Sequence, residues 1–244
     1  MTDQVHDNIV VASSLTKRFH GFAAVSEVDL AVRRHSIHAL IGPNGAGKTT
    51  MFNLITKFLS PTEGSIHFNG VQIEKTSTPD IATSGVAYVP EAMAIFSDLT
   101  VKENLVLAAR AGAPDEKRLE WIFGFFPALR KFWLSRAGTL SGGQKQMLSI
   151  ARAIVEERKL LLIDEPTKGL APAIVATMAR ALRELKADGA SILLVEQNFA
   201  VAKALGDTAS VMDDGRVVWS GAMAELGRDA DLQERLMGLS MEAR

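Results

Sequence analysis

Six strand-like apolar runs punctuate the chain, at residues 9–12, 37–41, 86–89, 160–163, 192–195 and 209–212. Helix-period patterns alternate with several of them, the arrangement that a mostly parallel sheet needs. Residues 50–59 place Met51, Phe52, Leu54, Ile55, Phe58 and Leu59 on one face of a helix. A second helix carries Met147, Leu148, Ile150, Ala151, Ile154 and Val155 at the same spacing. The stretch from Glu91 to Gln144 differs: it lacks strand alternation and reads as helices. Thr100-Val101-Lys102-Glu103 is a capping box opening one of them. Residues 116–129 predict an amphipathic helix with Leu119, Ile122, Phe123 and Phe126 on one side. Asp213-Asp214-Gly215 is a hairpin-turn sequence between short strand-like pieces, and two short helical stretches follow.

At 244 residues the chain suits one large or two small domains, and 47% apolar residues suffice for a sizeable core. The net charge of −1 argues against bulk nucleic-acid binding, so no nucleic-acid partner is expected. Cysteine is absent, consistent with a reducing compartment. No apolar run reaches the roughly 18 residues of a membrane-spanning helix. Residues 1–8 are polar and acidic, unlike a signal peptide. The expectation is a protein soluble by itself, with any membrane part on other chains.

The first chemical signal is Gly42-Pro43-Asn44-Gly45-Ala46-Gly47-Lys48-Thr49, a full match to the phosphate-loop pattern G-x-x-x-x-G-K-[S/T]. The run 37–41 leads in as a strand, and a helix leads out from Thr50. Glycines let backbone N–H groups curl around a phosphate without Cβ clashes, and the helix N-terminus adds its dipole. Lys48 would reach the β- and γ-phosphates of a nucleotide, and the Thr49 hydroxyl would ligate Mg²⁺.

Leu140-Ser141-Gly142-Gly143-Gln144 precedes the second helix and offers another nest of N–H groups for an anion. It is followed by the run 160–163, which ends in Asp164 and Glu165. A carboxylate at the end of a buried parallel strand is placed to hold Mg²⁺, the role expected of Asp164. Glu165 points differently and can polarise an attacking water as a general base.

In this combination and order the chain resembles the ATP-binding cassette (ABC) ATPases over about residues 10–236. The resemblance implies an α/β fold: a P-loop NTPase core of the ABC ATPase type, with a mainly antiparallel N-terminal β-subdomain and an inserted α-helical subdomain. Residues 1–90 and 158–244 would form the core and β-subdomain, and residues 91–157 the helical subdomain. It implies ATP and Mg²⁺ as cofactors. Phe19 resembles the aromatic that stacks on adenine; Phe22 is a rival, and a core phenylalanine is the alternative reading. Thr50 would join Gly42 to Thr49 at the nucleotide, and Ser141, Gly142, Gly143 and Gln144 would close over the ATP of a second cassette. Gly169-Leu170-Ala171-Pro172 falls at the D-loop that bridges two cassettes. Trp121, Phe123, Phe125, Phe126, Phe132 and Trp133 cluster in the helical subdomain. Subdomain core is the favoured reading of these rings over permease contact.

Tyr88-Val89-Pro90-Glu91, the 164–172 segment and Leu194-Val195-Glu196-Gln197-Asn198 resemble the ATPase subunits of branched-chain amino-acid-type importers. So do Gly215 to Gly221 and residues 232–239. The resemblance implies two transmembrane permease subunits, a second cassette that is either a different ATPase or a copy of this chain, and, indirectly, a periplasmic or extracellular solute-binding protein. It implies a peripheral location on the cytoplasmic face of a bacterial-type inner membrane, and no added regulatory domain. The alternatives are a lipid or polysaccharide exporter ATPase and a soluble ABC ATPase. Two departures matter. Glu91 stands where most of the family has Gln; it can coordinate Mg²⁺ or orient water, but adds negative charge. Gln197 stands at the switch-histidine position, and all five histidines precede residue 68. Gln197 can hydrogen-bond a γ-phosphate oxygen but cannot carry charge as His can. Slower hydrolysis than at a His-bearing site is predicted, and the missing His makes a hetero-pair the more attractive assembly.

Overall fold

The structure, a computed structural model, describes residues 7–110 and 112–237. Residues 1–6 of the polar N-terminal stretch, and the last two of the 232–239 segment, lie outside the described residues. In chain order the elements begin with β1 (Asn8–Phe19), β2 (Phe22–Arg33), β3 (Ile37–Ile41), α1 (Lys48–Ile55), β4 (Glu63–Phe68) and β5 (Val71–Gln72). Then come α2 (Thr78–Thr83), β6 (Val86–Val89), α3 (Val101–Val106), α4 (Glu116–Phe125), α5 (Pro127–Lys131), a 3₁₀ turn and α6 (Gly142–Ile154). The remainder is β7 (Leu160–Asp164), α7 (Pro172–Ala187), β8 (Ser191–Glu196), α8 (Phe199–Leu205), β9 (Thr208–Asp213), β10 (Arg216–Ala222), α9 (Met223–Leu226) and α10 (Ala230–Met237).

Two sheets result. The larger has the order β10-β9-β3-β8-β7-β6. Its strands run parallel except β10, which returns antiparallel to β9. Asp214 and Gly215 make that return at φ +42° and +74°, the left-handed pair of a tight hairpin turn. The smaller sheet, β2-β1-β4-β5, is antiparallel throughout. Every residue of β3, β7 and β8 is buried, because both faces of the central sheet are covered. Alternate residues serve opposite layers. Leu161, Ile163, Ile192 and Leu194 join the helices α6 and α7. Leu160, Leu162, Leu193 and Val195 pack toward α1 and the antiparallel sheet. Phe52 of α1 is fully buried there, worth about 2–3 kcal/mol.

Between β6 and β7 the described residues form helices, with one isolated bridge between Thr100 and Arg136. The predicted capping box at Thr100 and Glu103 is present. Two predicted helices are corrected. The helix over 50–59 stops at Ile55, where Lys57 turns to φ +63°; Phe58 lies beyond it and is exposed. The helix over 116–129 breaks at Phe126, whose φ −122° and ψ 66° leave the helical region. Pro127 forces this, since a proline disfavours helical geometry in the residue before it. Phe126 is fully buried; Trp121, Phe123, Phe125, Phe132 and Trp133 are partly buried against the same core. Arg118 stacks 3.9 Å from the Trp121 ring centroid and donates to the Ile154 carbonyl.

Candidate active site

The C-terminal ends of β3, β6, β7 and β8 bring the chemistry together, the usual binding edge of a parallel sheet. β3 delivers Gly42 to Thr49 into the start of α1. The loop is held tightly: a Cβ on Gly42 would stand 2.1 Å from the Met212 carbonyl oxygen, and one on Gly47 2.5 Å from that of Ala24. Lys48 is buried, and its Nζ donates to the carbonyls of Gly42 (2.7 Å) and Pro43 (2.8 Å). A lysine has three donors, so one N–H is left for a phosphate oxygen. Burial holds the Lys48 ammonium below the usual lysine range, opposed by the nearby Glu165 and Asp164 charges.

Thr49 donates to Asp164 Oδ2 at 3.2 Å, so the hydroxyl from α1 and the carboxylate from β7 face one another. Tyr88 from β6 donates to the same oxygen at 3.4 Å. Burial pushes the Asp164 carboxyl above its ordinary value, with the Thr49 bond pulling the other way. These are hard oxygen donors, as Mg²⁺ prefers. No group of three His, Cys, Asp or Glu suited to a metal occurs among the described residues.

Glu165 has φ +46°, an uncommon left-handed backbone for a non-glycine residue. Its carboxylate is gripped from two sides. Gln197 Nε2, at the end of β8, donates to Glu165 Oε1 at 2.6 Å and to Asn44 Oδ1 of the phosphate loop at 2.5 Å. Lys168 Nζ lies 3.1 Å from Glu165 Oε2 and 2.6 Å from Glu91 Oε1. Both carboxylates hold the Lys168 ammonium above the usual lysine range, the Glu91 bond most strongly. Glu91 is therefore brought to Glu165 through Lys168, while Gln197 ties Glu165 to Asn44. A cavity of about 550 Å³ opens beside them, lined by Glu165, Lys168, Gly169, Pro172, Glu196 and Gln197 among others. Glu196, behind Gln197, is buried and accepts from Thr167 at 2.7 Å. Burial pushes its carboxyl up.

Phe19 is not a core residue: it is 40% exposed and Phe22 64%, and the two are cross-strand partners closing the β1–β2 hairpin. Lys17 Nζ stands 5.1 Å from the Phe19 ring centroid. Thr50 lies half-buried in the first turn of α1. Ser141 and Gln144 form a capping box at the N-terminus of α6: Ser141 N–H donates to Gln144 Oε1 at 2.9 Å, and Gln144 N–H to Ser141 Oγ at 3.4 Å. Gly142 is open, and Gly143 packs so closely on Ile174 that a Cβ would stand 2.9 Å from Cγ2. Among the described residues, no hydrogen bond or ion pair joins Ser141 to Gln144 with the phosphate loop.

Sequence reasoning missed Tyr88 as a partner of Asp164, and Lys168 altogether. Tyr88 was visible as an apolar-run residue beside Pro90-Glu91. The Lys168 signal was a cation three residues after Glu165, but its second partner is distant in sequence. A separate groove of about 710 Å³, lined by Gly85, Lys159, Gly189 and Ser191 among others, lies at the opposite ends of the strands and holds none of the candidate residues.

The ABC transporter family pattern matches residues 25–168. The chain is 36% identical over 217 residues to a high-affinity branched-chain amino acid transport ATP-binding protein, BraG, of Pseudomonas aeruginosa, covering 88% of this chain and 93% of that protein. It is 36% identical over 216 residues to a probable branched-chain amino acid transport ATP-binding protein, LivF, of Archaeoglobus fulgidus, covering 87% and 92%. A solved ATP-binding subunit of an ABC transporter superposes with a TM-score of 0.81 at 31% identity, covering 96% of each chain. A phosphate loop facing an Asp-Glu strand end, within a fold and sequence matched over nearly their whole lengths, shows that this chain belongs to the ABC transporter family as one of its ATP-binding, ATP-hydrolysing cassettes.

Proposed function

We propose that this cassette energises uptake of branched-chain amino acids or similar small solutes through a separate permease. The observation that carries this reading is the 36% identity to BraG across 93% of that protein. Subfamily-like residues at Glu91 and Gln197 support it, and full-length similarity to transport ATP-binding proteins favours it over a soluble ABC ATPase. No helix among the described residues is long and apolar enough to cross a membrane, so the permease would be supplied by other chains. The cassette would work on the cytoplasmic face of the inner membrane with two permease subunits, a second cassette and, indirectly, a solute-binding protein. A different second ATPase is the preferred partner, since two copies of this chain would lack a switch histidine at both sites. Residues 91–157 would serve as the helical subdomain facing the permease.

The roles follow from the geometry. Backbone N–H groups of Gly42 to Thr50, with Lys48, would hold the ATP phosphates, and Phe19 would stack on the base. Thr49 and Asp164 would hold Mg²⁺, with Glu91 close enough to influence Asp164 electrostatically. Mg²⁺ there would neutralise phosphate charge. Glu165 would take a proton from water as its oxygen attacks the γ-phosphorus and the bond to ADP breaks. Gln197 would hold Glu165 in line. Ser141 to Gln144 lie apart from this chain's own phosphate loop, which suits closure over a partner's nucleotide. Opening and closing of such a pair is differential binding of two states, able to drive a permease.

The test is to tag the chain in its native cell, solubilise membranes gently and identify what copurifies. Two polytopic membrane proteins and a second cassette are expected. Recovery of soluble partners only would overturn the transport reading while leaving ATP hydrolysis intact.

A further inference from the structure

Lys168 occupies the turn after β7, where its N–H bonds back to the Glu165 carbonyl at 3.3 Å. Its ammonium joins two carboxylates from different strand ends, Glu91 after β6 and Glu165 after β7. Among the described residues it is the one cation that forms an ion pair with Glu165. Gln197, on the other side of that carboxylate, is neutral.

We propose that Lys168 is a positioning residue for hydrolysis: it clamps the Glu91 loop to the Glu165 carboxylate and supplies the positive charge that Gln197 does not. The proposal rests on the reading of Glu165 as the base. Three carboxylates, Glu91, Asp164 and Glu165, crowd the place where a polyanionic triphosphate reacts. Like charges at close range repel, and burial strengthens the effect. Lys168 removes the direct repulsion between Glu91 and Glu165 by standing between them. It also stands 3.1 Å from the second oxygen of Glu165 as an ion pair outside hydrogen-bond geometry, while Gln197 bonds the first.

A purely structural reading makes a different prediction. The Lys168 and Glu91 side chains are each about half exposed, at 51% and 53%. An exposed ion pair contributes little to folding, so removing it should leave the fold intact. Lys168 makes no bond to Lys48 or Thr49, so nucleotide affinity should also be preserved. The effect expected of a clamp is therefore confined to turnover.

The experiment measures steady-state ATP hydrolysis by the assembled transporter, with the site of any different partner cassette inactivated throughout, carrying Lys168→Met, Lys168→Arg, Glu91→Gln or the Glu91→Gln/Lys168→Met pair, with Glu165→Gln as control. Thermal melts verify folding, and Lys168→Gln provides a second neutral variant. Lys168→Met should lower kcat about tenfold while KM for ATP stays within about twofold. Lys168→Arg should retain most of the turnover. In the Glu91→Gln background the same lysine removal should cost about threefold or less, because the repulsion it relieves is gone. Unchanged kcat, a loss carried by KM, or strictly additive effects would overturn the clamp. Loss of hydrolysis in Glu165→Gln with unchanged Lys168→Met overturns the clamp alone. Parental hydrolysis in Glu165→Gln overturns the base reading and the clamp with it.

Discussion

Replacing Gln197 by Ala isolates the contact that most directly orients the candidate base. The amide nitrogen lies 2.6 Å from Glu165 Oε1 and 2.5 Å from Asn44 Oδ1. A hydrogen bond to an ionised carboxylate contributes roughly 1.5–3 kcal/mol, about twice a neutral one. If the bond holds Glu165 in line through the transition state, its loss lowers kcat roughly 10- to 100-fold, at about 1.4 kcal/mol per factor of ten. The lower end is expected, because the cavity beside Glu165 admits water to replace part of the bond. KM for ATP should move by less than about threefold, since the phosphate-loop group that Gln197 bonds is the Asn44 side chain, and Lys48 and Thr49 keep their own partners. The assay is phosphate release by the purified transporter over a range of ATP concentrations, with the site of any different partner cassette inactivated in parent and variant alike. Unchanged turnover, or a change carried mainly by KM, would refute the orienting role. Gln197→His in the same assay should exceed the parent, because imidazolium adds the charge that the amide lacks.

Other contacts give independent checks. Asn104 is fully buried and bonds the Phe96 N–H and the carbonyls of Phe96, Leu99 and Thr100. Asn104→Ala should cost about 2–4 kcal/mol by leaving these groups unpaired, lowering the melting temperature by roughly 5–15 °C. Gly42→Ala would drive a Cβ to 2.1 Å from the Met212 carbonyl oxygen, so the phosphate loop must shift; equilibrium ATP binding should weaken at least about tenfold while the fold survives. His38 is buried between Thr208 and Ser210, and burial lowers its pKa to about 4. Because the unfolded state then takes up the proton first, this contribution is complete above about pH 6.5 and is lost as pH falls toward 4. Urea titrations should show about 2 kcal/mol lost between pH 6.5 and 5 from this group, and His38→Gln should flatten that dependence.

The central sheet was legible because strands buried on both faces leave unbroken apolar runs, as in Leu160 to Ile163. β2 was not, although Val28, Leu30 and Val32 alternate inward, because its polar partners dilute the run and Glu27 at φ +50° disturbs its register. β4 is short and begins at an exposed Glu63 and Gly64. The antiparallel sheet could therefore be expected only from the family resemblance. Helix ends were harder still. Nothing in the apolar pattern marks the stop at Ile55, whereas Pro127 did signal the break at Phe126. At the site, each motif was readable because its residues are contiguous. The ties between motifs were not: Lys168 to Glu91 and Gln197 to Asn44 join residues that only the sheet order makes neighbours.

The most direct test of the account compares ATP binding and ATP hydrolysis in the purified transporter carrying Glu165→Gln, with the site of any different partner cassette inactivated in parent and variant alike. Nucleotide binding should persist, because Lys48, Thr49 and Asp164 are untouched, while phosphate release should fall at least about a hundredfold. Hydrolysis at the parental rate with binding intact would contradict the assignment of Glu165, and with it the site as described.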